Sequence, residues 1–422
     1  MADMNLLDAH IGSAKDNMSS PVHDWYKFTA GFSYKFVDLI LDGHDHDSIV
    51  FEPFAGCGTT LVECQKLGFN SIGNESQELM CNVINAKLNW SISKEKITYY
   101  LDEILHHINN HLTSDELREE FHPLLTTLYD EPSLRELYCI RDAIRGIDDE
   151  NYQLFLNLAL SQTLHKAAIH PIAVPYISRS KTLTDSGKAW EKFQRISEQM
   201  LRDLEQMPHH ERLAVVYNFD SRLRNPEIVD ASCNLCITSP PYLNNLDYGE
   251  VSKVHSHFFE MTNNWNDITE KVRRNLVTGA TTHYRDSDFN LELFAQTEFA
   301  QNNSETLESL IELYGRIKDN GKQRKGKKSF HILMMHYFED MYAVLKEMRR
   351  VLAKGAEAYL ILGDSAPYGI YVPTTQMLGD IAISAGFEEY RIHKIRSRGD
   401  KWKNLKNRHS ISLSENILIL KG

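Results

Sequence analysis

A short glycine-rich loop near the N-terminus constrains the fold more than any other feature of the chain. Residues 48–52 (Ser-Ile-Val-Phe-Glu) have the composition of a buried strand, and residues 59–67, after the loop, have helical character. Gly68 is suited to end this helix, and residues 70–75 predict a second short strand that ends in an acid. A strand, a glycine loop, a helix and another strand begin an α/β, Rossmann-like doubly wound sheet, which is the fold that we expect.

The chemistry of this loop favours a nucleotide-like ligand. Its glycines let the backbone approach a ligand closely, and the following helix presents free N–H groups at the edge of the sheet where ligands bind in such folds. The loop lacks the glycine spacing of a dinucleotide site and the lysine of a phosphate loop, so a ligand without pyrophosphate fits better. Glu75 ends the second strand, where a carboxylate can accept hydrogen bonds from ribose hydroxyls. The alternative for the loop is a plain glycine turn, and the alternative for Glu75 is an acid that caps the next helix.

The rest of the pattern indicates an α/β part with insertions. Helical periodicity dominates after the second strand, and strand patterns return at 213–220 and 232–238. Toward the C-terminus we expect a helix over 337–352 and strands over 358–364, 388–395 and 417–420. The expected divisions are the N-terminal part with the glycine loop (1–90), a helical insertion (91–210), a second sheet part (211–257), a polar insertion (258–330) and a C-terminal sheet part (331–422).

A second motif follows the strand predicted over 232–238. It is the tetrad Ser239-Pro240-Pro241-Tyr242, which should lie on the same sheet edge as the glycine loop. Two consecutive prolines fix the backbone and remove two N–H donors, which leaves carbonyls and the serine hydroxyl as acceptors for an amino group. The tyrosine can stack on a base that has been swung out of a duplex. For the tetrad taken alone, a structural Pro-Pro turn is the alternative.

Composition excludes some classes of protein. The N-terminus has no charged segment followed by an apolar run, and no apolar stretch approaches the ~20 residues that span a bilayer, so we expect a cytoplasmic protein. The six cysteines are expected to be reduced and buried. Cys233 and Cys236 have a metal-like spacing, but in a strand they should face opposite sides, so we expect no metal site. A net charge of -12 means that any nucleic-acid contact must rest on local positive charge.

The two motifs together resemble those of the amino-group DNA methyltransferases, which act on cytosine N4 or adenine N6. Residues 52–60 (Glu-Pro-Phe-Ala-Gly-Cys-Gly-Thr-Thr) are similar to the family's cofactor motif, and the Ser-Pro-Pro-Tyr tetrad is similar to its catalytic motif. Weaker similarity runs from about residue 22 to the C-terminus: residues 23–36 resemble a cofactor-wall segment, residues 218–222 an acid near the cofactor's adenine, and residues 414–421 the closing strand. The long helical insertion departs from common family layouts, so the location of target recognition stays open, with 258–330 as a candidate.

The resemblance implies a seven-stranded sheet, S-adenosylmethionine as cofactor, and direct methyl transfer to an exocyclic amino group without a covalent enzyme intermediate. Residues expected to be catalytic are Ser239, Pro240, Pro241 and Tyr242. Residues expected to bind the cofactor are Phe32, Glu52, Phe54, Ala55, Gly56, Gly58, Thr59, Thr60, Glu75 and Asp220. A serine in the tetrad is commoner in cytosine-N4 enzymes, which favours cytosine. The alternatives are adenine N6, tRNA guanine N2, and a catalytically silent nucleic-acid-binding subunit.

Double-stranded DNA is the partner that this function implies, in restriction–modification or phage defence, with a cognate restriction endonuclease or another defence protein as a candidate partner. Two basic segments are candidates for phosphate contact, and solvated surface is the alternative for both. The segment near the C-terminus is favoured because aromatic residues interleave with its charges. The candidate DNA-binding residues are Lys325, Arg396, Arg398, Lys401, Trp402, Lys403 and Lys406.

Overall fold

The computed structural model describes a seven-stranded mixed sheet with helices on both faces. It covers residues 11–28, 30–115, 117, 121–172, 177–208, 210, 212–244, 246–280, 289–325, 328–398 and 411–422. The strands are β1 (Ile49–Glu52), β2 (Asn70–Glu75), β3 (Ala214–Asn218), β4 (Cys233–Thr238), β5 (Leu352–Gly363), β6 (Glu389–Arg398) and β7 (Leu413–Lys421), in the order β3-β2-β1-β4-β5-β7-β6. The first five strands in this order are parallel, and β7 pairs antiparallel with both β5 and β6. The predicted Rossmann-like α/β fold is confirmed.

Helices of eight or more residues are labelled in chain order. They are α1 (Tyr34–Leu41), α2 (Thr59–Leu67), α3 (Glu78–Leu88), α4 (Lys94–His111), α5 (Glu131–Arg145), α6 (Glu150–Ala167), α7 (Ala189–Leu204), α8 (Tyr248–Phe258), α9 (Ser304–Gln323), α10 (Phe330–Val351) and α11 (Thr374–Ser384). Shorter helical turns include Pro123–Thr126, Trp265–Asp267, Leu291–Phe294 and Glu298–Asn302. None of the helices in the described ranges is both long enough and apolar enough to cross a membrane.

The glycine loop forms the strand–loop–helix unit that the sequence predicts. Gly58 precedes α2 with a φ of +86°, and Gly68 ends α2 with a φ of +79°. Left-handed backbone of this kind is easy for glycine and costly for other residues, which explains both positions. The loop therefore turns the chain sharply from the end of β1 into the start of α2.

The two faces of the sheet are covered by different helices. On one face α1 contributes Phe36 and Ile40 to a core with Val50 and Ile237. On the other face, α10 and α11 pack over the residues of the same strands that lie on that side of the sheet, such as Phe51. Burial of both faces is what a largely parallel sheet requires.

The strand β4 departs from one expectation. Cys233 and Cys236 belong to the same core cluster, because the pairing of β4 with β5 is irregular between Cys233 and Leu235. The expectation that the two thiols face opposite sides is therefore wrong. All six cysteines are free and buried, so the prediction of reduced, buried cysteines is confirmed. Within the described part of the chain, no group of three or more side chains is arranged to hold a metal ion.

Candidate active site

A cleft at the carboxyl edge of the sheet brings the two motifs together. Because β1, β2 and β4 are parallel, the segments that follow them emerge at the same edge. Predicted cofactor residues that line the cleft are Phe32, Phe54, Ala55, Gly56, Thr59, Glu75 and Asp220. Ser239 and Pro241 of the tetrad line it as well. The structure thus places both motifs on one cavity, although they lie far apart in the sequence.

Gly56 leaves the cleft open at the glycine loop. Its φ is +54°, and a Cβ atom built there would lie 3.3 Å from Cε1 of Phe28. Its N–H donates a hydrogen bond of 2.8 Å to Oε2 of Glu75. Any larger residue would both strain the backbone and fill the space beside the cleft.

Glu75 lies at the end of β2 with both carboxylate oxygens engaged. Oε1 accepts a hydrogen bond of 2.8 Å from the N–H of Gln77, and Oε2 accepts from Gly56. Burial raises the pKa of Glu75 to about 7, and hydrogen bonds from the backbone oppose that shift. A carboxylate has about four lone-pair positions, so Glu75 keeps the capacity to accept further hydrogen bonds from a ligand.

Three of the predicted cofactor residues lie behind the cleft. Glu52 is buried and accepts a hydrogen bond of 2.6 Å from the hydroxyl of Thr60, which ties the end of β1 to α2. Burial raises the pKa of Glu52 to about 8. Gly58 packs against Ile84 of α3, with a built Cβ atom 3.1 Å from Cγ1 of that residue. Glu52, Gly58 and Thr60 are not among the residues that line the cleft.

Asp220 lies in the loop after β3 and is held by an arginine. Nε of Arg222 donates to Oδ1 of Asp220 at 3.0 Å, and Nη2 donates to Oδ2 at 2.6 Å. The same guanidinium also reaches Asp340 of α10 at 3.3 Å. The carboxylate therefore faces the cleft as one member of an ion-pair network.

Hydrogen bonds with strand β5 and helix α10 hold the tetrad in place. Ser239 donates from Oγ to the carbonyl of Ile361 in β5 at 3.1 Å. Pro241 accepts at its carbonyl from the hydroxyl of Tyr337 in α10 at 2.9 Å. Because the serine proton is used in this way, the lone pairs on Oγ are available as acceptors.

Tyr242 contacts strand β7 and, unlike Ser239 and Pro241, does not line the cleft. Its hydroxyl donates to Oε1 of Glu415 in β7 at 3.2 Å, and its ring is half-buried. It is not among the residues that line the cleft, whereas its neighbour Pro241 is. Pro240 is buried between Ser239 and Pro241. The ring therefore lies beside the cavity rather than in it.

Sequence reasoning missed several residues of the cleft. They are Phe28, Tyr248 at the start of α8, and the segment Asn275, Leu276 and Val277. Burial raises the pKa of the Tyr248 hydroxyl. The segment comes from the polar insertion and is held in place by Thr278, whose N–H donates to Asp340 at 2.9 Å. Phe28 falls within the segment 23–36 that resembles a cofactor wall, whereas no local pattern in the sequence marks the other four, because they reach the cleft through long-range contacts.

The candidate DNA-binding residues fall into different surroundings. Lys325 is exposed in the loop after α9, close to the chain turn at Tyr368, whose hydroxyl donates to the carbonyl of Lys328 at 3.1 Å. Arg396 forms an ion pair with Glu415, and Arg398 ends β6. Lys401, Trp402, Lys403 and Lys406 lie outside the described residues.

The chain is similar to known DNA methylases. Residues 15–86 match the N6/N4 methyltransferase family model, whose description is DNA methylase. The chain is 22% identical to type II methyltransferase M.MvaI of Kocuria varians, over 99% of this chain and 95% of that protein. It is 22% identical to type II methyltransferase M.AvaI of Nostoc sp., over 92% of this chain and 83% of that protein. A shorter match, 28% identical, to type II methyltransferase M.MjaII of Methanocaldococcus jannaschii covers 31% of this chain and 25% of that protein.

The Rossmann-like sheet is consistent with these matches to DNA methyltransferases. Similarity to an N6/N4 family model and to type II methyltransferases supports the resemblance to the amino-group DNA methyltransferases that the two motifs indicate. The stretch that matches the family model contains both the glycine loop and Glu75.

Proposed function

We propose that this protein transfers a methyl group from S-adenosylmethionine to the exocyclic amino group of a base in double-stranded DNA, most favourably N4 of cytosine, in restriction–modification or phage defence. The observation that carries the proposal is the position of Ser239 on the wall of the cleft that Gly56 and Glu75 also line. Acceptors for an amino group thus adjoin a cavity suited to a nucleoside.

The cleft has the features that the cofactor requires. Gly56 provides a cradle that a Cβ atom would narrow, since such an atom would come within 3.3 Å of Phe28. The Glu75 carboxylate can accept hydrogen bonds from ribose hydroxyls, and the aromatic rings of Phe28 and Phe54 supply apolar walls. When bound, the cofactor supplies an electrophilic methyl group. We propose that Glu52, Gly58 and Thr60 shape the loop from behind rather than contact the cofactor.

The tetrad is suited to hold the target amino group. Ser239 donates its own proton to the Ile361 carbonyl, so Oγ can accept a hydrogen from the target nitrogen. The Pro240 carbonyl would accept the other hydrogen, and these two contacts would aim the nitrogen lone pair at the methyl group. Tyr242 would stack on the base after it leaves the duplex. Positioning then supplies most of the rate, and no cysteine is needed.

The target base can be identified directly. The protein is expressed in cells that lack DNA methylation, and the modified bases in their DNA are sequenced. We expect N4-methylcytosine at a defined sequence. N6-methyladenine would overturn the assignment to cytosine, and unmodified DNA together with methylated tRNA would overturn the assignment to DNA.

The role of the tetrad can be measured with purified protein. In single-turnover reactions, S239A should be slower than the parent by about 10- to 100-fold, the loss expected for a hydrogen bond worth ~1.5–3 kcal/mol, while cofactor affinity measured by calorimetry stays constant. The control is S197A, since the Ser197 hydroxyl is buried and, like that of Ser239, donates to a backbone carbonyl, here that of Phe193 in α7. Equal rates for S239A and the parent would refute the assigned chemistry.

Tyr242 is tested by removing its stacking face. Y242A should lose about 1–3 kcal/mol of base capture, by analogy with other base–aromatic contacts. The loss should appear in the rate at subsaturating DNA more than in cofactor affinity. If Y242A methylates DNA at the parent rate, the result would indicate that the tetrad is a structural turn.

A further inference from the structure

Glu415 of β7 is a buried carboxylate that contacts the tetrad. Its Oε1 accepts the hydrogen bond from the Tyr242 hydroxyl at 3.2 Å, and its Oε2 forms an ion pair with Nε of Arg396 in β6. Its side chain is 3% exposed, so the carboxylate has almost no access to water. We propose that Glu415 is a positioning residue that fixes the Tyr242 ring in the orientation that receives the target base. This inference rests on the stacking role proposed for Tyr242.

The sheet register explains why β7 brings an acid to this point. Glu415 lies opposite Gly363, the last residue of β5, and opposite Arg396 of β6. The carboxyl end of β5 belongs to the same sheet edge as the tetrad, since β5 is parallel to β4. The antiparallel strand β7 therefore carries its N-terminal residues to the catalytic edge.

The N-terminal segment completes the setting of this carboxylate. A Cβ atom built on Gly12 would lie 2.3 Å from Oε2 of Glu415, and 2.7 Å from its Cδ. Only glycine at this position leaves the carboxylate in place. Arg396 also approaches this segment, with Nη2 at 3.5 Å from the Gly12 carbonyl.

Arg396 places a positive charge beside the acceptor of the Tyr242 hydrogen bond. A buried carboxylate is costly unless it is paired, and Arg396 supplies the opposite charge. A phenol that donates to a carboxylate makes a stronger hydrogen bond than one that donates to a neutral oxygen. The ring of Tyr242 is thereby held before the base arrives, which reduces the ordering cost of stacking. Glu415 acts through Tyr242 and does not line the cleft.

The same strands contain a matched arrangement away from the tetrad. The hydroxyl of Tyr359 donates to Oε2 of Glu357 at 2.7 Å, and Nη2 of Arg391 donates to Oε1 at 2.9 Å. Glu357 lies opposite Lys421, at the far end of β7 from Glu415. A tyrosine, a carboxylate and an arginine are thus joined in the same way, but away from the tetrad and the cleft. E357A is therefore the control for the general cost of losing such a carboxylate.

The test uses the full chain, S-adenosylmethionine and unmethylated genomic DNA fragments as substrate. In single-turnover reactions, E415A should be slower by about 10-fold, which corresponds to a charge-assisted hydrogen bond at the weak end of its range. E415Q retains an acceptor and should recover most of the rate, and E357A should react like the parent. Cofactor affinity should be the same in all variants.

A double-mutant cycle separates positioning from general structure. In the Y242F background, where the hydroxyl is absent, E415A should cause no further loss, because both changes remove the same contact. If E415A fails to fold, G12A provides the second variant: its Cβ atom would displace the carboxylate, so it should also slow the reaction.

The possible results have distinct meanings. Parent rates for E415A or, if that protein does not fold, for G12A would refute the role of Glu415. Equal losses in E415A and E357A, or losses that add to that of Y242F, would also refute it. A parent chain that transfers no methyl group would instead refute the proposed function.

Discussion

Glu75 should make cofactor binding depend on pH in the neutral range. Burial raises its pKa to about 7, against the opposing hydrogen bonds from Gly56 and Gln77. The ionised form is the one proposed to accept both ribose hydroxyls, so affinity should fall as the pH falls through about 7. If only that form binds, the apparent Kd is proportional to one plus ten raised to the power of pKa minus pH. It then rises about 10-fold between pH 8 and pH 6.

Titration calorimetry with S-adenosylmethionine from pH 5.5 to 8.5 measures this effect. The cofactor's own amino group titrates near pH ~8, so E75Q, which lacks the carboxylate, serves as the reference. We expect weaker binding in E75Q at pH 8 and a smaller change toward low pH than in the parent. Below pH 7 the parent should also release a proton on binding, which makes the measured enthalpy depend on the buffer. The same pH profile in E75Q and the parent would refute the assignment.

Three further predictions concern the loop, the core and the basic segment. G56V should abolish cofactor binding in calorimetry, because a β-branched residue is strained at a φ of +54°; undiminished affinity would place the cofactor elsewhere. E52Q should raise the melting temperature more at pH 9 than at pH 5. The pKa of Glu52 is raised to about 8 in the folded protein, so folding favours the protonated carboxyl. The contribution of Glu52 to the free energy of unfolding therefore falls as the pH rises from about 4.5 to about 8. Neutralising Lys401, Lys403 and Lys406 together should flatten the log–log salt dependence of DNA binding by about two to three units, and an unchanged slope would make them ordinary surface.

The glycine loop could be predicted from the sequence because local interactions define it. The expected strands over 48–52 and 70–75 and the helix over 59–67 agree closely with the strands and helix of the structure. The glycines at both ends of α2 have positive φ, and such positions leave a direct mark on the sequence. Glu75 could be placed at the sheet edge for the same reason.

The last two strands show where local patterns fail. The local pattern indicates strands over 388–395 and 417–420, and only the resemblance extends the second to 414–421, whereas β6 and β7 are Glu389–Arg398 and Leu413–Lys421. The added residues are mostly polar, and backbone pairing between the two strands holds them in the ladder without an apolar pattern. Glu415 lies in this extension. Its contact with the tetrad joins residues 173 positions apart, which no spacing rule could have found.

The net charge of -12 is a poor guide to DNA binding in this chain. Several carboxylates beside the cleft and the tetrad are paired with arginines, whereas Glu75 is held by backbone N–H groups. The pairs are Asp220 and Asp340 with Arg222, Asp247 with Arg273, and Glu415 with Arg396. Charges farther than about 8 Å from a phosphate are largely screened at physiological salt. Acids elsewhere on the surface therefore have little effect on DNA binding, although they dominate the net charge. These pairs therefore neutralise several acids around the cleft, and we predict that the cations of the basic segments set the strength of DNA binding.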